Sequence, residues 1–249
     1  IAVRDYVAHA VGPEVLTELY AVVADPTELE PDRLPERFVV KPNHASGMIW
    51  IVGDEAPSQQ LVSDDSTRQT SEIFTTTPDR LDWDMLRAAC RRWLSINYAD
   101  LELEWAYRHI PPRIMVEELL RGPDGHVPPD YKLYVFHGRV RLLEVHTDRF
   151  GDHRCNLVGP DWAPVDAQLI YPPAPQAPTR PDSLEKMIHI AETLGKETDF
   201  VRVDLYDVDG RIVFGELTSI PGGPYAPGFT PKSFDLELGG YWNLPDQYR

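Results

Sequence analysis

The chain has 249 residues, 24 prolines, a net charge of −16 and an apolar content that is ordinary for a globular protein. Its length can bury the core of one large domain or of two small ones. The acidic balance excludes a general nucleic-acid or anionic-membrane binder, because phosphate contacts need a basic face, but it allows a local basic pocket for one nucleotide. No apolar run reaches the length of a transmembrane helix.

The cysteine and histidine content indicates neither a disulfide framework nor a metal-binding motif. Cys90 and Cys155 have no zinc-ligand spacing, which favours a reducing cytoplasm, although the two could still pair. The eight histidines are interpreted as scattered core and surface residues. No signal peptide is visible, and because the chain begins at Ile1 we expect a leading segment to precede it.

Residues 1–37 are expected to form a helical segment that ends in a connector. Apolar residues recur at helical spacing from Tyr6 to Tyr20, with a break at Gly12-Pro13. The acidic and proline-rich stretch that follows predicts the connector.

The stretch Phe38–Val52, FVVKPNHASGMIWIV, predicts a strand, a loop of small residues and a second strand. It differs from a Walker loop and from a Rossmann fingerprint, both of which lead into a helix. Such a loop can fold over phosphates and donate backbone N–H groups, while Lys41 would supply a positive charge. A plain hairpin with a polar turn is the simpler interpretation of this stretch taken alone.

The middle of the chain predicts a loop, a helix and a strand. Residues 55–78 are polar, and we expect a long exposed loop. Residues 81–94 carry apolar side chains at helical spacing. The stretch Arg113–Leu120, RIMVEELL, predicts a strand that changes character at Glu117-Glu118.

The stretch Asp130–Phe136, DYKLYVF, predicts a strand with Asp130 and Lys132 on one face. A turn and a further strand then lead to Arg149. Lys132, Arg141 and Arg149 are the cations that a nucleotide would need within an otherwise acidic protein.

The late stretch Val201–Gly223 predicts a β-hairpin that carries two carboxylates, Asp204 and Glu216. It follows a helix predicted over residues 181–194. A two-residue loop at Asp209-Gly210 would place the carboxylates on opposite faces of the sheet. We predict instead a three-residue loop, Val208–Gly210, which makes them diagonal neighbours on one face, roughly 7–8 Å apart.

That register also predicts which residues face the core, namely Val201, Val203, Leu205, Val213 and Leu217. Two carboxylates on a rigid hairpin, with Arg202 between them, suit Mg²⁺ ions that carry phosphates. A surface salt bridge on an ordinary hairpin explains the same spacing, and spacing alone does not separate the two.

Taken together, these segments resemble the ATP-grasp proteins, and within them the branch named after teichuronopeptide biosynthesis, the TupA-like proteins. The motifs that carry the resemblance are VRDYV, FVVKPNHASG, PPRIMVEELL, PDYKLYVFHG, FVRVDLYDVDG and FGELTSIPGG. The resemblance implies an α+β fold in which two subdomains grip ATP between antiparallel sheets. The implied division is an incomplete N-terminal helical segment over 1–37, a small subdomain over 38–120 and a large subdomain over 121–249.

The resemblance also implies roles for individual residues. Lys41 and the loop with His44, Ser46 and Gly47 would contact the nucleotide phosphates. The hinge that meets adenine would be formed by Glu117, Glu118 and Leu119. The ribose and phosphate contacts on the next strand would come from Asp130 and Lys132. Catalytic cations near the transferred phosphoryl group would be Lys132, Arg149 and Arg202. The Mg²⁺ ligands would be Asp204, Glu216 and Thr218.

Two departures from the family pattern concern this site. Thr218 stands where most ATP-grasp enzymes have an asparagine, and a hydroxyl is a poorer Mg²⁺ ligand than an amide oxygen. A second lysine, usual upstream of the loop, is not present before Lys41. We expect it in the preceding segment, with Arg4 as a weaker substitute.

The activity that the resemblance implies is a cytoplasmic ATP- and Mg²⁺-dependent carboxylate–amine ligase that works through an acyl phosphate. Its partners would be ATP and a small-molecule or glycan substrate pair, with a role in cell-envelope polysaccharide or other secondary biosynthesis. Two alternatives remain: a kinase for a sugar or glycan hydroxyl on the same fold, and a non-catalytic nucleotide- or glycan-binding module.

Overall fold

The structure, a computed structural model, describes residues 1–54, 72–101, 103–149, 151–223 and 226–244. Its helices are α1 (Ala2–Val11), α2 (Trp83–Leu94), α3 (Tyr98–Leu101), α4 (Leu184–Leu194) and α5 (Lys232–Gly239). Its strands are β1 (Leu19–Val23), β2 (Phe38–Pro42), β3 (Met48–Val52), β4 (Glu72–Thr76), β5 (Ile114–Glu117), β6 (Asp130–Phe136), β7 (Arg139–Thr147), β8 (Arg154–Val158), β9 (Phe200–Val208) and β10 (Arg211–Thr218).

These elements form two compact units. The first unit contains residues 17–119, and the second contains residues 1–16 and 120–249. Each unit has its own five-stranded sheet, which makes the fold α+β, as the sequence predicted. Within the described ranges, no helix combines the length and the apolar character that a membrane span requires.

The sheet of the first unit has the strand order β1-β5-β2-β3-β4. All neighbours are antiparallel except β3 and β4, which are parallel. Helix α2 is capped at its start by Asp82, whose carboxylate accepts hydrogen bonds from the N–H groups of Asp84 and Met85. Its apolar face buries Leu86 and Trp93 in the core beneath the sheet.

The sheet of the second unit is antiparallel throughout, in the order β10-β9-β6-β7-β8. Helix α4 packs its apolar stripe on one face of this sheet. The helix is followed by Gly195, where an added Cβ would lie 2.6 Å from Cγ1 of Val135. Glycine is therefore required at this point for the close approach of helix and sheet.

Two predictions of local structure were wrong. Residues 1–37 are not helical throughout, because Leu19–Val23 forms strand β1 beside β5. Pairing with a neighbouring strand decides the conformation of this short apolar run, which periodicity could not assign. The predicted loop over 55–78 contains strand β4, and the remainder of that prediction, residues 55–71, lies outside the described residues.

The predicted three-residue hairpin loop was also wrong. Val208 pairs with Arg211, so the loop has two residues, Asp209 and Gly210. Their φ angles are 53° and 82°, and both central residues of a type I′ turn require positive φ. Aspartate tolerates this conformation better than most residues, and glycine adopts it without a steric penalty.

A β-bulge at Gly215 nevertheless restores the shared face. Phe214 pairs with Leu205, and Glu216 pairs with Asp204, so Gly215 has no partner of its own. Asp204 and Glu216 are therefore directly opposite each other rather than diagonal neighbours. The two-residue turn, rather than the bulge, changes the core assignment, since Ile212 and Phe214 face the core beneath α4 in place of the predicted Val213.

Candidate active site

The face of the second sheet that lies away from α4 carries a row of charged residues across three neighbouring strands. Lys132 on β6 is the register partner of Asp204 on β9, and Asp204 is the partner of Glu216 on β10. One residue pair further along, Arg202 is the partner of Thr218. Alternation along each strand places these side chains on one face while the intervening apolar residues enter the core.

The charged side chains form one continuous network. Lys132 Nζ contacts Asp130 Oδ2 at 2.8 Å and also pairs with Asp204. Arg202 binds Asp204 through two parallel contacts, Nε to Oδ1 at 2.7 Å and Nη2 to Oδ2 at 2.8 Å. Its Nη2 also donates to Thr218 Oγ1 at 3.1 Å, and Arg149 Nη1 donates to Asp130 Oδ2 at 2.7 Å.

The network is buried apart from Arg149, whose side chain is 40% exposed, and this burial makes its charges interdependent. Asp130 and Asp204 are only 1% and 3% exposed. Burial alone would raise the pKa of Asp130, but the charges of Lys132 and Arg149 outweigh it and hold the pKa well below its usual value. Burial likewise opposes the charge of Arg202, but the Asp204 carboxylate raises the pKa of the guanidinium above its usual value. Asp130 and Arg202 are therefore charged at neutral pH.

Three polar groups of the network retain unused hydrogen-bonding capacity among the described residues. Asp130 Oδ1 is buried and has no hydrogen-bond partner. Arg202 uses Nε and Nη2 but not Nη1, and Lys132 uses two of the three N–H donors of an ammonium group. A buried acceptor without a partner costs free energy, which favours a ligand at this position.

The predicted residues of the first unit form a separate group. Lys41 on β2 pairs with Glu117 at the end of β5, and Thr17 Oγ1 donates to the other oxygen of Glu117 at 2.7 Å. The backbone N–H of Glu18 donates to the Glu118 carboxylate at 3.1 Å. Leu119, the last residue of the unit, is partly buried.

The predicted phosphate loop is held by hydrogen bonds at its base. Asn43 donates to Pro111 O at 3.1 Å and accepts from Arg113 N at 2.8 Å. His44 is buried, and this burial lowers its pKa, offset in part by main-chain groups of Trp93 and Ile96. Ser46 lies in the same loop, and Gly47 has a φ of 77°, which favours glycine.

Sequence reasoning missed several polar residues on the same sheet face. Tyr206, the register partner of Asp130, is adjacent to this network, and burial together with Asp130 raises the pKa of its hydroxyl. Glu144 and His146 on β7 are buried, as is Cys155 on β8. The alternation of Glu144 and His146 along β7 is a signal in the sequence for these two polar residues, but it indicates neither Cys155 nor a metal site.

The donor set fits the ATP and Mg²⁺ that the family implies. Mg²⁺ binds oxygen ligands, and on one face Asp204 and Glu216 supply carboxylate oxygens while Thr218 supplies a hydroxyl. The unpartnered Oδ1 of Asp130 and the unused donors of Lys132 and Arg202 suit a hydroxyl-bearing polyphosphate. Thr218 is the weakest ligand of this set, since its oxygen already accepts a hydrogen bond from Arg202.

Comparison with known proteins identifies the class and then the family. The two α+β units form a fold of the ATP-grasp class. The family described as TupA-like ATPgrasp matches residues 1–243, and the chain belongs to this family. The family resemblance drawn from the sequence motifs is thereby confirmed. No curated protein sequence matches the chain.

Similar solved structures include three ligases or synthetases. The D-alanine–D-alanine ligase from Bacillus anthracis in complex with ATP is 14% identical with a TM-score of 0.47, covering 97% of this chain and 62% of its own. An L-amino acid ligase from Bacillus licheniformis is 16% identical with a TM-score of 0.44, and the match covers 87% of this chain and 42% of that ligase. A D-cycloserine synthetase is 13% identical with a TM-score of 0.45, covering 96% and 68%. The chain thus spans about three fifths of the length of the D-alanine ligase, and likenesses this distant carry no information about its activity.

Proposed function

We propose that this chain is an ATP-dependent carboxylate–amine ligase that activates its carboxylate substrate as an acyl phosphate. The observation that carries the proposal is the buried charge network of Asp130, Lys132, Arg202 and Asp204, which retains an unpartnered acceptor and unused donors. Membership of the TupA-like ATP-grasp family supports the same chemistry. Lys41, the loop at His44–Gly47 and residues 117–119 are proposed, on the family resemblance alone, to contribute further nucleotide contacts.

The residues of this network would act chiefly by neutralising the negative charge of the reacting groups. Transfer of the γ-phosphoryl group to a carboxylate brings two anions together, and this repulsion must be neutralised. Lys132 and Arg202 supply positive charge in a buried place where it is more effective than in water. Arg149, whose side chain is 40% exposed, adds a further cation to the network. Mg²⁺ held by Asp204 and Glu216 would supply further charge neutralisation when bound.

The reaction would proceed in two steps. A carboxylate oxygen of the substrate bonds to the γ-phosphorus while the bond to the β-bridging oxygen breaks, and ADP leaves. An amine then bonds to the acyl carbon, the carbon–oxygen bond to phosphate breaks, and the amine loses a proton. The network residues would hold the phosphates in line, and Asp130 Oδ1 would accept a hydrogen bond from a ribose hydroxyl.

We further propose that the substrate belongs to cell-envelope or capsular polysaccharide synthesis. It rests on the name of the family branch and not on any side chain of this chain. A test of substrate class should therefore include uronic acids, amino sugars, amino acids and short peptides as acceptors and donors.

The deciding experiment follows oxygen atoms from substrate to phosphate. The chain is incubated with Mg·ATP, a panel of ¹⁸O-labelled carboxylates and a panel of amines, and the products are analysed by mass spectrometry. A ligase requires both substrates for sustained ADP release and transfers ¹⁸O into inorganic phosphate. ADP release with a hydroxyl substrate alone, together with phosphorylated product, would establish a kinase instead.

Matched variants assign the activity to the network. We expect Asp204→Asn and Glu216→Gln to lower turnover by about 100-fold or more, the range seen when a main electrostatic group is removed. Asp199→Asn and Glu197→Gln make the same chemical changes at exposed positions of the same unit and should leave turnover unchanged. Equal loss in both pairs would show that the network residues have no special part in the reaction.

A further inference from the structure

A second cluster of ligand-type side chains lies on the same sheet face, two strands away from Asp204. Glu144 and His146 alternate on β7, and Cys155 on β8 is the register partner of His146. One ligand atom from each residue, a carboxylate oxygen, an imidazole nitrogen and the thiol sulfur, lies within 4.8 Å of the other two. All three side chains are buried.

The single proton that His146 Nε2 can carry does not satisfy both Glu144 Oε2 and Cys155 Sγ. His146 Nε2 lies 2.7 Å from Glu144 Oε2 and 3.7 Å from Cys155 Sγ. If Nε2 carries the proton, it donates to Glu144. The Cys155 sulfur then receives no hydrogen bond from Nε2. If Nε2 carries no proton, it can accept a hydrogen bond from the thiol. It then lies 2.7 Å from Glu144 Oε2, a second acceptor with no proton between them.

The remaining polar atoms of these side chains are already bound and oriented. Glu144 Oε1 accepts a hydrogen bond from the Tyr134 hydroxyl. His146 Nδ1 lies 2.9 Å from Nε2 of His153, whose ring stacks on Tyr171. Metal-binding histidines and carboxylates are held in this way by partners on their second polar atom.

We propose that Glu144, His146 and Cys155 form a binding site for Zn²⁺. Thiolate, imidazole and carboxylate together favour zinc over Mg²⁺ or Ca²⁺, which prefer oxygen ligands alone. The ion would sit among Oε2, Nε2 and Sγ, and three protein ligands leave a fourth position for water or another small ligand. A carboxylate, a thiolate, a neutral imidazole and Zn²⁺ sum to zero charge, which suits a buried site.

Binding has a defined proton balance. The thiol loses its proton to solvent and the Nε2 proton also leaves. The proton that His153 shares with His146 moves onto His146 Nδ1, and His153 regains one at its other nitrogen. One proton is therefore released for each ion bound.

The test uses the intact chain with excess Mg²⁺ present, so that oxygen-only sites such as that of Asp204 are occupied. Zn²⁺ binding is measured by titration calorimetry, and Co²⁺ is then added in place of Zn²⁺ to detect the thiolate-to-cobalt charge-transfer absorption. We expect one equivalent of Zn²⁺ and a charge-transfer band. Cys155→Ser should remove the band, and Cys155→Ser and His146→Gln should each weaken Zn²⁺ binding by about tenfold or more.

Cys90→Ser and Asp204→Asn are the matched controls, because Cys90 is the other buried thiol and Asp204 belongs to the proposed Mg²⁺ site. Both should bind Zn²⁺ and Co²⁺ as the unsubstituted chain does. Loss of the band in Cys90→Ser, or Zn²⁺ binding that Cys155→Ser leaves unchanged, would overturn the proposal. Should Cys155→Ser fail to fold, the unsubstituted chain still decides, since the absence of its charge-transfer band rules out the thiolate as a ligand.

Discussion

At the scale of single residues, the site depends on carboxylates that are held by cations on the same sheet. Asp204 uses both oxygens, one with Arg202 Nε and the other with Arg202 Nη2 and Lys132. Each cation nevertheless keeps a donor for a ligand. The same contacts therefore position the side chains and leave them able to bind phosphate.

Asp130→Asn is expected to destabilise the chain at neutral pH and to make its free energy of unfolding depend less on pH in acid. The pKa of Asp130 in the folded chain lies below its unfolded value of about 3.9. Its contribution to stability is therefore complete above about pH 4 and is lost as the pH falls through the folded pKa. The variant leaves Lys132 and Arg149 without this partner, which should cost about 3 kcal/mol at pH 7.

Urea unfolding at a series of pH values measures this effect. The difference in the free energy of unfolding between the unsubstituted chain and Asp130→Asn should shrink as the pH is lowered below 4. Asp199→Asn, at an exposed position, should show no such pH-dependent difference. A constant difference at every pH would mean that the charge of Asp130 contributes nothing to stability.

Arg202→Lys is expected to be harmful although the charge is kept. A lysine cannot make the two parallel contacts to Asp204 or reach Thr218 at the same time. We expect a loss of about 2 kcal/mol in unfolding free energy, measured in urea, because part of the buried Asp204 carboxylate loses its donor. Arg139→Lys, on a largely exposed arginine of the same unit, is the control and should change stability little.

At the scale of elements, the β9–β10 hairpin shows what sequence pattern can and cannot predict. Its two arms, and the strands at Phe38–Val52 and Asp130–Phe136, were predicted, because each is a short β-rich run next to a clear turn signal. The shared face of Arg202, Asp204, Glu216 and Thr218 was predicted too, but through the wrong loop. A glycine within a strand signals a bulge only weakly, so the compensation at Gly215 could not be deduced from the pattern.

Gly215→Val tests the bulge directly. A Cβ at this position would lie 3.0 Å from a ring carbon of Tyr206 and 3.2 Å from the Asp204 carbonyl oxygen. The added branches must displace Tyr206 or the strand, which should lower the unfolding free energy by about 2 kcal/mol and reduce Mg·ATP binding. Gly239→Ala, where an added Cβ meets no atom within 4 Å, is the control.

Thermal unfolding measures the stability of the two glycine variants, and nucleotide titration measures their affinity for Mg·ATP. A Gly215→Val chain that keeps both its stability and its nucleotide affinity would show that the spacing of Asp204 and Glu216 does not depend on the bulge.

At the scale of the whole molecule, family membership and two α+β units were accessible from the order of six motifs along the chain. The sequence did not predict strands β1 and β4, because these short runs become strands through pairing with β5 and β3. The Glu144–His146–Cys155 cluster was missed for a similar reason. Its members come together through the register of β7 and β8, and no spacing along the sequence indicates a metal site.

The proposed function depends above all on whether the network around Asp204 binds the phosphates of Mg·ATP. Titration calorimetry with a non-hydrolysable ATP analogue, with and without Mg²⁺, measures this directly and needs no knowledge of the other substrates. We expect Mg²⁺-dependent binding by the unsubstituted chain and a loss of affinity of about tenfold or more in Asp204→Asn, with Asp199→Asn unaffected. Binding of equal strength in both variants, with both chains folded by circular dichroism, would show that the network around Asp204 does not bind the nucleotide phosphates.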